Sequence, residues 1–331
     1  MNQNIILMNP AEPSPFLSAV YAWGIAVIRN IQIIVNPVLT VFMKFISSFG
    51  NEFFYIVIVL LIFWCIDEKK GFRLGLLVII SAWINMVLKT VFGQPRPFDF
   101  DPSLGLSFEP SNGFPSGHAQ MSMTFWITVS YLFAKNKIKT FLWVFSFAMI
   151  LLIGFSRLYL GVHFPTDVFA GWIFACVVMG LFYILEKPIT PVLNKAGIRP
   201  QLIIAAAAAL IMNALYLRDT SLSAMLLGFC AGYSFMTKHF PFTARNDQEK
   251  HPGFHILALR SVAGLIGFVV IYIGLRSILP GKDSFFSGVA FLAPYYELSR
   301  FVRYTLLGLW ASAGAPGVFQ NIKLAVSRKE K

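Results

Sequence analysis

The chain has 331 residues, 57% of them hydrophobic and 13% charged, which leaves too little polar surface to cover a water-soluble globule. Its formal net charge is +12, yet the basic residues sort by loop rather than into one patch, which points away from a nucleic-acid partner and toward a chain sided across a bilayer. The expected fold is all-α, a polytopic membrane helical bundle.

Residues 1–50 are apolar in stretches broken by Arg29, Asn30, Asn36, Pro37 and Lys44, the pattern of an interfacial amphipathic segment. No basic stretch leads into a small-residue cleavage site, so the N-terminus is expected to be retained. A hydrocarbon core about 30 Å thick asks for roughly 20 apolar residues per helix, and about nine stretches approach that length. They lie near 52–66, 72–92, 117–134, 140–158, 166–186, 201–217, 221–237, 256–277 and within 284–318. Glu297, Arg300 and Arg303 interrupt the last region, and its later part, 301–318, is the preferred span. Pro188, Pro191 and Pro200 predict helix ends and a division near residue 190. Residues 51–190 then form one unit, and 191–331 a C-terminal transmembrane extension without an evident reactive cluster.

Alternating spans bring Lys69, Lys70 and Arg73, then Lys135, Lys137 and Lys139, then Lys187, Lys195 and Arg199 to one side. Lys238, Arg245, Lys250 and Arg260 join them, as do Lys323, Arg328, Lys329 and Lys331. An excess of Lys and Arg marks the cytoplasmic side, so the C-terminus is expected there and the N-terminus outside, with the loops at 93–116, 157–165, 218–220 and 278–283. Cys65, Cys176 and Cys230 fall inside apolar spans without metal-type spacing and read as small buried residues. His251 and His255 are four apart, but Pro252 and Gly253 between them oppose a helix, so they read as solvated side chains and not metal ligands.

Three clusters remain, all at the outer ends of spans. Lys89 precedes Arg96 and Pro97 in KTVFGQPRP, two cations converging on one turn, which either anchor the interface or bind an anion. In Phe114-Pro115-Ser116-Gly117-His118 a polar loop becomes an apolar span; Pro115 and Ser116 suit a helix start, whose free amides attract anions, and Gly117 permits close backbone approach. In SRLYLGVHFPTD, Pro165 marks a helix start, so His163 and Asp167, four apart, approach across its first turn. A carboxylate on one imidazole nitrogen fixes the tautomer and leaves the other nitrogen nucleophilic. Arg157 ends the span before it. Asp99, Asp101 and Glu109 in the intervening loop read as solvated residues, the other reading being selection of substrates by charge.

The spacings K-x6-RP, PSGH and SR-x5-H-x3-D, complete from Lys89 to Asp167, resemble the signature of the type 2 phosphatidic acid phosphatase (PAP2) superfamily in its integral membrane branch. The resemblance implies that His163 is the nucleophile, forming a phosphohistidine, and that Asp167 orients it. His118 would protonate the leaving oxygen and later activate water. Lys89, Arg96 and Arg157, with Ser116 and Gly117, would bind the phosphate oxygens. It implies no metal and no cofactor. The expected substrate is a lipid phosphate or polyprenyl diphosphate held in the bilayer, dephosphorylated at the extracytoplasmic face of a bacterial cytoplasmic membrane. A glucose-6-phosphatase-like sugar phosphatase, a phosphotransferase passing the group to an alcohol, and a non-catalytic phosphate carrier are the competing expectations.

Overall fold

The computed structural model describes residues 14–245, 252–281, 284–285, 287 and 289–325, which form helices and, among these residues, no sheet. In chain order the helices are α1 (Pro15–Gln32), α2 (Pro37–Ser48), α3 (Glu52–Cys65), α4 (Glu68–Phe92), the single turn α5 (Pro97–Phe100), α6 (Gly117–Phe133) and α7 (Lys139–Tyr159). They continue with α8 (Pro165–Ala196), α9 (Ile198–Leu215), α10 (Ser221–His239), α11 (Phe254–Ile278), α12 (Tyr296–Leu309) and α13 (Ala315–Asn321), a π turn joining the last two. Among the described residues, five helices are long and apolar enough to cross a membrane, six if α2 and α3, bent by 48° at their junction, are one broken span. That is short of nine because α3, α6 and α12 have only 14, 17 and 14 residues; α10 has 19 but is interrupted by polar and small residues.

Caps and breakers explain most boundaries. Asn36, Asp67 and Ser116 accept backbone N–H groups at the starts of α2, α4 and α6, closing donors that helix geometry leaves free. The expectation that Pro188 and Pro191 end a helix does not hold: α8 runs through both to Ala196. Both lie past Met179, the last buried residue of α8, where carbonyls deprived of an amide partner are not trapped in the core. The break comes at Gly197, with φ +79°, and Pro200 sits in the first turn of α9, where its missing N–H costs nothing.

α6 lies at the centre of the first half, against α4, α7 and α8. In the second half α10 packs on α9 and α12. Gly228 and Gly232, one turn apart on α10, let that pair close: a Cβ on Gly228 would lie 2.0 Å from Thr305 O, and one on Gly232 2.2 Å from Ser312 Oγ. The halves share a core in which Phe63 and Trp64 of α3 meet Phe229, Met236 and Phe319. Arg260, buried on α11, ties the seam by donating to Trp64 O (3.1 Å), Ala244 O (2.7 Å) and Leu324 O (2.8 Å). Cys65 is buried in this seam as expected, whereas Cys176 is exposed on α8. His255 is exposed in the first turn of α11, and His251 lies outside the described residues.

Candidate active site

Lys89 stands in the last turn of α4, which closes at Gly93. Its Nζ donates to Asn112 O and, at 3.4 Å, to Gly113 O, while Asn112 Nδ2 returns a bond to Lys89 O at 2.9 Å. Arg96 follows at the start of α5, its own N–H held by Asp99 Oδ2 at 2.7 Å. Its guanidinium is shared among Ser111 O (2.6 Å), Ser111 Oγ (3.1 Å), Val162 O (2.6 Å) and His163 Nε2 (3.1 Å).

Ser116 caps α6, its Oγ 3.4 Å from Ala119 N, and its own N–H donates to Asp167 O at 3.0 Å, which joins the second motif to the third. A buried polar chain seats this turn on α4. Asn85 Nδ2 donates to Gln120 Oε1 (2.9 Å) and Pro115 O (3.4 Å), and Gln120 Nε2 donates to Ser81 O (2.9 Å). Gly117 faces that chain, since a Cβ there would lie 3.0 Å from Asn85 Oδ1. His118 projects to the junction of α2 and α3, where its Nε2 is 2.9 Å from Asn51 Oδ1.

Arg157 closes α7 and donates to Ser47 Oγ of α2 and to the Glu109 carboxylate. In the turn between α7 and α8, His163 Nδ1 lies 3.2 Å from Asp167 Oδ2, which also accepts the Phe164 N–H at 2.9 Å. A guanidinium can only donate, so Arg96 makes Nε2 the acceptor and assigns the proton to Nδ1, facing the carboxylate. Both neighbours thus select one neutral tautomer. Burial pushes the His163 imidazole well below the ordinary histidine range, and Arg96, Lys89, Arg157 and His118 push in the same direction. Arg96, Arg157, His163 and Asp167 are each at most 2% exposed, so the charges around the neutral imidazole act with little screening by water.

Residues 70–191 match the PAP2 superfamily, and residues 220–328 match the PAP2 superfamily phosphatase, transmembrane extension. The chain is 30% identical over 164 residues to phosphatidylglycerophosphatase B of Bacillus subtilis, an alignment covering 47% of this chain and 79% of that one. The chain belongs to the PAP2 superfamily. It is also 34% identical over 134 residues to undecaprenyl-diphosphatase of Sulfolobus acidocaldarius, covering 40% of this chain and 63%, less than two thirds, of that relative. A crystal structure of a transmembrane PAP2 type phosphatidylglycerolphosphate phosphatase from Bacillus subtilis aligns with a TM-score of 0.46 and 27% identity, over 52% of this chain and 88% of that one.

The PAP2 motifs meet at one end of the bundle, as their placement at span ends predicts: Lys89, Arg96, Arg157, His118, His163 and Asp167 sense one another's charge or touch. Several partners escaped the sequence reading. Ser47 and Asn51 straddle the boundary drawn at residue 50 and reach Arg157 and His118. The three loop carboxylates are not simply solvated: Asp99 caps Arg96, Asp101 pairs with Arg29 at 2.8 Å, and Glu109 pairs with Arg157. The nearest available signal was charge, three carboxylates in a loop flanked by cationic motifs.

Proposed function

We propose that this chain hydrolyses a lipid phosphate or polyprenyl diphosphate through a phosphohistidine, at the extracytoplasmic face of the membrane. The observation that carries the reading is the fixed tautomer of His163, with Nδ1 against Asp167 and the Nε2 lone pair directed into a cluster of three cations. Binding alone needs the cations but not an oriented lone pair.

In this mechanism Nε2 of His163 attacks phosphorus, the ester or anhydride P–O bond breaks, and His118 delivers a proton to the leaving oxygen. His118 then takes a proton from water, whose oxygen attacks the phosphohistidine and frees orthophosphate. Asp167 keeps the proton of His163 on Nδ1, while Lys89, Arg96 and Arg157 stabilise the charge on the equatorial oxygens, with Ser116 and the Gly117 amide beside them. No step needs a metal or a cofactor. The basic residues of the α3–α4, α6–α7 and α8–α9 junctions lie at the other ends of the helices from the site, which supports an extracytoplasmic location under the positive-inside rule. The lipid class follows the relatives' names and a site set among apolar helices.

The test is phosphate release by the purified protein in detergent with EDTA, comparing undecaprenyl diphosphate, phosphatidate, sphingosine phosphate and glucose 6-phosphate. His163→Ala should lower the rate by roughly 10⁴-fold. The wild type should carry an acid-labile phosphoryl label that the variant lacks. Release that persists in His163→Ala, or that needs a divalent ion, would overturn the mechanism. Preference for glucose 6-phosphate would overturn the lipid assignment.

A further inference from the structure

Between the PAP2 core and the extension lies a cavity of about 170 Å³. Tyr55 and Val59 of α3, Ala82 of α4, Met121 of α6, and Leu222 and Met225 of α10 line it. At one end are Glu52 and Ser221, the first residues of α3 and α10. Along α3 the lining runs from Glu52 to Leu60, about 12 Å at the rise of an α-helix.

Two helices lead from the catalytic cluster into this cavity within a single turn. His118 and Met121 are three residues apart on α6, and Asn51, which bonds His118, is followed four residues later by Tyr55. Residues at these spacings share a helix face, so the cavity begins directly beneath the proposed acid. The Tyr55 side chain is buried, and its hydroxyl has no hydrogen-bond partner. In a well-packed membrane core such a group is rare, and here it belongs to the wall of a space large enough for a ligand. An apolar cavity of about 150 Å³ accommodates benzene, so this one has room for roughly six carbons.

We propose that this cavity receives the phosphate-proximal part of the hydrocarbon chain of the substrate lipid, and that the extension helix α10 thereby takes part in substrate selection. The proposal rests on reading the chain as a lipid phosphatase. A phosphate held by Arg96 and Arg157 beside His118 leaves its leaving group on the His118 side, and the descent along α3 and α6 is the apolar path that starts there. Apart from the phenol hydroxyls of Tyr55 and Tyr304 the hydrocarbon meets apolar side chains, while Glu52 and Ser221 border the polar linkage.

Leu222→Trp and Met225→Trp fill the cavity from the extension without touching any motif residue. Two substrates are compared: a long-chain phosphate monoester, and glycerol 3-phosphate, which has no chain to insert. For the long-chain substrate kcat/KM should fall about tenfold, the equivalent of one to two buried methylenes, while the value for glycerol 3-phosphate stays constant. An equal loss on both substrates, or no loss on either, overturns the proposal. Independently of turnover, the same long-chain phosphate carrying a diazirine near its polar end should label residues 52–60 and 221–229 of the wild type. Unlabelled long-chain phosphate should displace it and the matching alcohol should not. Equal displacement by the alcohol identifies a resident bilayer lipid and overturns the proposal. Labelling with the expected competition, but no phosphate release from any substrate, would reject the hydrolytic reading and leave the cavity assigned.

Discussion

His163 is held from both sides, the Asp167 carboxylate facing Nδ1 and the Arg96 guanidinium, which can only donate, facing Nε2. Its folded pKa lies below the ordinary value of about 6.5, so as pH falls the unfolded chain takes up this proton first. The stability that the neutral ring contributes is whole above about pH 6.5 and lost steadily below it. The melting temperature in detergent should therefore drop more steeply from pH 7 to pH 5 in the wild type than in His163→Gln; parallel slopes would contradict the buried neutral imidazole. Glu109 offers a second test. Among the described residues it is the one carboxylate paired with Arg157, whose Nε is buried without a partner. Glu109→Gln leaves a buried guanidinium uncompensated, and because the Glu109 side chain is 27% exposed the cost should be about 1–3 kcal/mol, less than for a fully buried pair. Orthophosphate can replace the lost charge, so it should raise the melting temperature of Glu109→Gln more than that of the wild type. Equal shifts would separate Glu109 from the anion site.

The break between α2 and α3 brings Ser47, Gly50 and Asn51 to the two motif residues they touch. A Cβ on Gly50 would lie 2.5 Å from His118 Cδ2, so Gly50→Ala must move the imidazole. A displacement near 1 Å can cost roughly 10²-fold in rate, and kcat should fall by that order with KM little changed and the helical circular dichroism intact. A variant with normal kcat would show that the junction yields instead of the ring. The start of α8 was legible because Pro165 and the His163–Asp167 spacing carry a local rule. The bend was not. Polar residues in the first fifty resemble interruptions of an interfacial helix, and no spacing in the sequence says which distant arginine or histidine they face. Asn85 and Gln120 were hidden for the same reason: each is an ordinary polar residue in an apolar span, given meaning by a partner on another helix.

Across the whole molecule, the motif-bearing half and the extension share one core, and Arg260 is its polar fastening. Arg260→Met strips the donors from Trp64 O, Ala244 O and Leu324 O, with a penalty of roughly 1–3 kcal/mol for each carbonyl left buried and unpaired. The melting temperature in detergent should fall by several degrees; an unchanged value would mean that apolar packing alone holds the seam. The number of crossing helices was the least legible feature, because short and bent helices share the composition of full spans. The family and the clustering of the motif residues were the most legible, since ionisable residues at span ends have few other reasons to recur at fixed spacing.

The loop from Glu109 to Gly113 occupies donors of all three cations of the site. Under the proposed function phosphate enters by exchange, displacing a carboxylate and backbone carbonyls, and the bonds it gains are offset by those it breaks. The same offset works in reverse after the chemistry. On that reading the loop's groups compete with orthophosphate for the same cations, so weaker retention of product becomes a faster off-rate, and product release limits turnover in many enzymes.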